Sequence, residues 1–236
     1  MESDDILRRY TSLPVAIDML VRKCATLLPY RHWVDENDRR ALELYQNNLH
    51  YGFVGAMCLT QAAETFHHWQ VFASGDAGVC VVFDRLTLER HFADRMHFKA
   101  RPVQYMQMRE IETIDAADLH DLPFLKRYGF RDEREFRILG YTVEQRPSLS
   151  FEIIPGLIRR IVFSPFTHPS LVDSARIALR AIPGWSGLTV HHSKLINNET
   201  WQAALSGFVS RHGTVYGEWI EIEFEEEVPD DTKPSD

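Results

Sequence analysis

The residues best suited to chemistry in this 236-residue chain lie in Gly129-Phe130-Arg131-Asp132-Glu133-Arg134-Glu135-Phe136-Arg137-Ile138-Leu139-Gly140. Read as a strand leaving a loop, the stretch puts Glu133, Glu135 and Arg137 on one face and Arg134, Phe136 and Ile138 on the other. The two glutamate Cβ atoms then stand roughly 7 Å apart. At that spacing one carboxylate can raise the pKa of the other, or both can grip neighbouring hydroxyls of a sugar. The same charges also fit a solvated strand edge whose mixed signs pair among themselves to little effect.

Further candidates sit where elements end. Arg9, Tyr10 and Thr11 close a short strand over 6–10, and Thr60 follows the nearly continuous apolar run 51–59, which suits a strand buried on both faces. Trp69 falls in a helix expected over 62–73, with Phe66, Val71 and Phe72 also turned inward. The pairs His67-His68 and His191-His192 invite a metal reading. Adjacent residues diverge on a helix and on a strand alike, so neither pair chelates one ion alone, and no CxxC or HxxxH spacing supports a metal site. Cys58 and Cys80 read as inert core thiols. The Ser74–Gly78 turn lacks the lysine and the strand-to-helix setting of a phosphate loop, and no Gly-x-Ser-x-Gly elbow marks a nucleophile.

The elements that must position these residues alternate irregularly. Helices are expected over 15–21, 39–49, 62–73, 86–92, 110–119, 171–181 and 199–205; strands over 6–10, 24–28, 51–59, 79–84, 102–106, 149–154, 157–163, 188–192 and 219–224. With no internal repeat and no linker-like tract, this reads as one α+β domain over 1–228, a mixed sheet flanked by helices, followed by a frayed acidic tail over 229–236. The order is not a clean βαβ alternation with a glycine fingerprint, so a Rossmann domain is not expected.

Composition narrows the class. A hydrophobic content of 44% with mixed charge describes an ordinary globular chain, and a formal charge of −8 argues against a dedicated nucleic-acid binder while leaving room for a local basic patch. Three cysteines and an opening without an apolar signal segment point to a reducing, cytoplasmic setting. No run approaches the ~18 apolar residues of a membrane span.

Three stretches together resemble the large bacterial family designated domain of unknown function 2971. They are Arg9-Tyr10-Thr11-Ser12 with Trp33-Val34-Asp35; Cys58-Leu59-Thr60-Gln61, Trp69, Phe72-Ala73 and the run Gly78 to Asp84; and Phe124-Leu125-Lys126-Arg127 through Glu133-Arg134-Glu135-Phe136-Arg137-Ile138. A more distant similarity is to ADP-ribosyltransferases. Those enzymes carry, in chain order, an Arg or His on a first strand, a hydroxyl or aromatic motif on a middle strand before a helix, and a Glu or Glu-x-Glu at the start of a late strand. Arg9, Thr60 and Glu133-Arg134-Glu135 occur here in that order, although the usual Ser-Thr-Ser is missing.

That resemblance implies an ADP-ribosyltransferase-like split sheet and NAD as substrate, with an acceptor that is protein, nucleic acid, a small molecule or water. Cleaving the nicotinamide–ribose bond builds an oxocarbenium-like cation, which a carboxylate beside the ribose stabilises more than it stabilises the ground state. The resemblance gives that part to Glu133 or Glu135, the diphosphate to Arg9, ring stacking to Tyr10 or Trp69, and orientation of the glutamate to Thr60. It also implies a toxin or phage-defence setting, with a partner protein of such a system. Two rivals are a non-catalytic binding or regulatory protein on the same fold and a hydrolase or nucleic-acid-processing enzyme.

Overall fold

The computed structural model describes residues 5–73, 75–111 and 119–212, and the contacts divide the chain into a unit ending at Asn197 and another beginning at Asn198. The first unit runs β1 (Ile6–Ser12), α1 (Leu13–Arg22), β2 (Cys24–Pro29), α2 (Glu36–Asn48), β3 (Phe53–Thr60), α3 (Phe66–Phe72), β4 (Gly78–Asp84) and α4 (Arg85–Phe92). It continues with β5 (Phe98–Pro102), β6 (Gln104–Met106), α5 (Met108–Ile111), β7 (Leu125–Arg127), β8 (Glu135–Thr142), β9 (Leu149–Glu152), β10 (Ile158–Phe163), α6 (Pro169–Ala181) and β11 (Thr189–His192). In the second unit the described residues form α7 (Glu199–His212). The strand expected over 219–224 and the tail over 229–236 lie outside the described residues.

The architecture is α+β, with a mixed sheet flanked by helices. Its order is β11-β10-β4-β1-β3-β2-β9, with β8 and then β5 added on the other side of β3. All pairs in it are antiparallel except β10 with β11. One edge of β3 is shared: β1 meets it at Thr60, whereas β2 meets it at Ala56 and Gly55. The sheet therefore divides between β1 and β2. Gly55 permits the approach of β2, because a Cβ there would come within 2.6 Å of the Leu28 carbonyl oxygen.

Alternation along the strands separates two faces. Leu7, Leu59, Val81, Phe136 and Ile138 join Ala16 and Leu20 of α1, Leu88 of α4 and Val172 of α6 in the main core. On the opposite face Val54, Ala56 and Leu139 pack under Leu42 and Tyr45 of α2, and Ile6, Cys80 and Val82 pack under Trp69 of α3. The residues between those two smaller clusters are polar: Arg8, Thr60, Glu135 and Arg137, all buried. Among the described residues no helix is long and apolar enough to cross a membrane.

Several local expectations are corrected. The α3 helix starts at Phe66 rather than 62, because Thr65 accepts the His68 N–H at 3.2 Å and caps it there. Only Trp69 of its large apolar residues turns fully inward; Phe66, Val71 and Phe72 are exposed. The strand expected over 102–106 is two, β5 and β6, broken at Val103, whose N–H donates to the Glu135 carbonyl at 2.9 Å. The helix expected over 110–119 is described only in part: α5 ends at Ile111, Leu119–Phe124 is a 3-10 turn, and the residues between lie outside the described set. Cys80 is buried as expected, but Cys58 is exposed.

Candidate functional site

The glutamates do not lie on one strand. Tyr128–Glu133 is a 3-10 turn, Arg134 adopts a left-handed conformation (φ 42°, ψ 49°), and β8 begins only at Glu135. The cation that reunites them comes from β7. Lys126 Nζ donates to Glu133 Oε2 at 2.6 Å and to Glu135 Oε2 at 3.1 Å, with Asp38 Oδ2 3.8 Å away. The two carboxylates thus meet through an ammonium instead of across a strand face.

Arg137 extends this cluster inward. Glu135 and Arg137 do share a face of β8, as the period of two requires, and the guanidinium donates to Glu135 Oε1 at 2.7 Å and Oε2 at 3.0 Å. It also donates to both Asp38 oxygens, at 2.9 and 2.7 Å, and to the Pro123 carbonyl at 2.6 Å. Trp33 lies 5.0 Å from the guanidinium and Phe130 5.0 Å from the Lys126 ammonium, so aromatic faces close the cluster. Glu135 and Arg137 are buried rather than solvated, whereas Asp132 and Arg134 of the same stretch are exposed, and β8 is flanked by β3 and β5 rather than sitting at an edge.

Three carboxylates share two cations, and the imbalance sorts their proton affinities. Burial pushes Glu135 upward, but the charge and hydrogen bonds of Arg137, with Lys126, outweigh it and hold the group down at about 2. Burial raises Glu133 and Asp38, and their nearest cations compensate only in part. Glu135 is accordingly a fixed anion with 3% of its side chain exposed, while Glu133, at 20%, is the carboxylate that protonates more readily.

Main-chain contacts fix this corner. Thr60 stands in register with Glu135, and its hydroxyl donates to the Glu133 carbonyl at 2.5 Å while accepting the Ala62 N–H at 2.9 Å. The Gln61 N–H donates to the Arg134 carbonyl at 2.9 Å. The Glu135 N–H donates to the Tyr105 hydroxyl at 2.8 Å, and burial pushes that phenol up to about 12.

Arg8, not Arg9, joins this row. Arg8 pairs in register with Thr60 across β1 and β3, so Arg8, Thr60 and Glu135 are neighbours on three adjacent strands, a span of roughly 10 Å. Arg8 Nη1 donates to the Ala62 carbonyl at 2.7 Å. Arg9 and Thr11 alternate to the other face, opposite Val81 and Val79 of the main core, and burial lowers the Arg9 pKa. Tyr10 falls on the Arg8 face, with its ring 5.3 Å from His68 in a stack and 4.9 Å from Trp69 edge-on. Trp69 is fully buried, and its indole N–H donates to Glu64 at 2.8 Å.

Sequence reasoning missed Arg8, Asp38, Lys126 and His68 as members of this neighbourhood. The Arg8-Arg9 doublet signals a cation at the strand end, but register alone decides which of the two faces Thr60. A cavity of about 100 Å³ borders the cluster between α2, β6 and β7, lined by Asp38, Lys126, Ala41, Met106, Leu122 and Leu125. Arg8, Thr60 and the two glutamates lie outside its lining.

No family model matches the chain and no curated protein does, so the resemblance to the bacterial family rests on the quoted motifs alone. Among solved structures the chain is similar to Thermus sp. 2.9 DarT in complex with ADP-ribosylated ssDNA, at 11% identity and a TM-score of 0.44, covering 81% of this chain and 95% of that one. It is similar also to Thermus sp. 2.9 DarT in complex with NAD+, at 12% identity and a TM-score of 0.42, covering 81% and 96%.

Proposed function

We propose that the chain cleaves the nicotinamide–ribose bond of NAD and passes the ADP-ribosyl group to an acceptor or to water. The observation that carries this reading is the row Arg8–Thr60–Glu135: a cation, a hydroxyl and a carboxylate from three remote segments meet on one face, beside the Tyr10 ring. Glu135 supplies a permanent negative charge near the ribose, favouring the oxocarbenium-like transition state. Glu133, more exposed and more readily protonated, takes the hydroxyl contact and receives the proton of the attacking group. Arg8 in place of Arg9 binds the diphosphate through charge-assisted hydrogen bonds. Tyr10 meets a ring of the dinucleotide, and Trp69 holds Tyr10. A toxin or defence role follows from the same chemistry, since NAD loss or modification of an essential acceptor arrests growth.

The saturation of Glu135 by Arg137 and Lys126 favours a second reading, in which the acids only brace the fold of a binding protein. NAD titration followed by thermal midpoint separates the two. The first reading requires stabilisation by NAD that Arg8→Gln abolishes and nicotinamide release that Glu133→Gln and Glu135→Gln suppress. Neither stabilisation nor release in the wild type leaves the second.

A further inference from the structure

The turn leading into the two glutamates carries more positive charge than the site consumes. Residues 125–134 hold Lys126, Arg127, Arg131 and Arg134 against Asp132 and Glu133, in a chain whose formal charge is −8. Lys126 is spent on Glu133 and Glu135 inside the cluster. Arg127, Arg131 and Arg134 remain, all exposed. Among the described residues neither Arg127 nor Arg134 has a carboxylate within ion-pair distance, and Arg131 reaches Asp132 only at 4.0 Å.

An aromatic ring stands among these cations. Tyr128 is 44% exposed, and the Arg131 guanidinium lies over its ring at 4.6 Å. The Arg134 N–H donates to the Arg131 carbonyl at 3.1 Å, and the six-residue turn between Arg127 and Arg134 makes about two 3-10 turns, roughly 12 Å. The platform is also anchored: the Glu133 and Arg134 carbonyls that close the turn are held by Thr60 and Gln61.

We propose that Arg127, Tyr128, Arg131 and Arg134 form a binding surface for single-stranded nucleic acid. Unpaired guanidiniums neutralise phosphates, and a ring already stacked with a guanidinium offers a planar face to an unpaired base. An acidic protein surface would be met by the cations but gains nothing from the ring, so the ring favours a nucleic acid. Placed beside Glu133, the bound strand is the acceptor; that part rests on the proposed NAD chemistry, whereas binding itself does not.

Fluorescence anisotropy of the full-length protein with labelled oligo-dT and oligo-U, about twelve nucleotides each and without NAD, tests the surface between 50 and 200 mM salt. Tyr128→Ala is expected to weaken binding roughly 5- to 100-fold with an unchanged salt slope. Arg127→Gln with Arg134→Gln is expected to reduce the slope of log affinity against log salt by about 1.4. These side chains are exposed, so matched thermal midpoints verify folding. The assignment is overturned by absent binding at 50 mM salt, by an unaffected Tyr128→Ala variant, or by equal displacement with a polyglutamate peptide of the same charge, which would assign the patch to an acidic protein. Oligonucleotide binding without NAD turnover sinks the enzymatic reading alone, and turnover without oligonucleotide binding sinks this surface alone.

Discussion

Thr60 donates its hydroxyl to the main-chain carbonyl of Glu133 at 2.5 Å, across 73 residues of sequence, while its own Cα stands opposite Glu135. The end of β3 thereby sets where both carboxylates lie. The buried hydroxyl also satisfies the Ala62 N–H, so both its hydrogen-bonding roles are used at one point.

Thr60→Val keeps the shape and removes that donor and acceptor. We expect a loss of about 1–3 kcal/mol in urea-induced unfolding, with Thr60→Ser recovering most of it. Equal stability of the valine and wild-type proteins would mean that the Glu133 turn is held by other contacts.

Arg137 is fully buried between Asp38 and Glu135. Arg137→Met leaves Asp38 and Glu135 only the Lys126 ammonium, which they share with Glu133, and should cost about 3–5 kcal/mol. Arg137→Lys should recover little, since one ammonium cannot serve two carboxylates bidentately. Adding Asp38→Asn to Arg137→Met should cost less than the sum of the single changes, and strict additivity in this double-mutant cycle would refute the coupling.

Acid should expose the same network. Glu135 is held at about 2, below its unfolded value, so its contribution is complete above about pH 4.5 and declines as the pH falls towards 2. Glu133 and Asp38 are shifted upward, and their protonation acts in the opposite direction over the start of the same descent. Thermal midpoints measured from pH 6 to 2 should fall less steeply for Glu135→Gln than for the wild type. Parallel curves would show that Glu135 does not govern the acid limb.

Arg8 and Arg9 should separate on NAD. Arg8→Gln is expected to weaken NAD binding at least tenfold, because Arg8 shares the row with Thr60 and Glu135, while Arg9→Gln, on the other face, should weaken it less. Dissociation constants from titration calorimetry decide it, and the reverse ranking would move the diphosphate to the Arg9 side of the sheet.

Much of the scaffold was legible because apolar runs are long where strands are central. Residues 51–59 and 79–84 announce β3 and β4, and the period of two correctly joins Glu135 with Arg137. Glu133 escaped the strand pattern because Arg134 turns left-handed, a conformation that a non-glycine residue rarely signals in advance. Asp38 and Lys126 were silent for another reason. Each is an ordinary charged residue until long-range contacts bring it to Arg137 and the glutamates, 99 residues from Asp38 in the case of Arg137. The inward turn expected of Phe66 and Phe72 failed because Thr65 delays the start of α3 and leaves a helix too short to bury more than one side.

Nicotinamide release from NAD by the protein, followed chromatographically with Glu133→Gln and Glu135→Gln at matched folding, decides whether these carboxylates act on the nicotinamide–ribose bond. Time-dependent release by the wild type is expected, reduced at least a hundredfold by each substitution. Intact NAD after prolonged incubation of the folded wild type with single-stranded oligonucleotides and protein acceptors, or release unchanged in both variants, would contradict it.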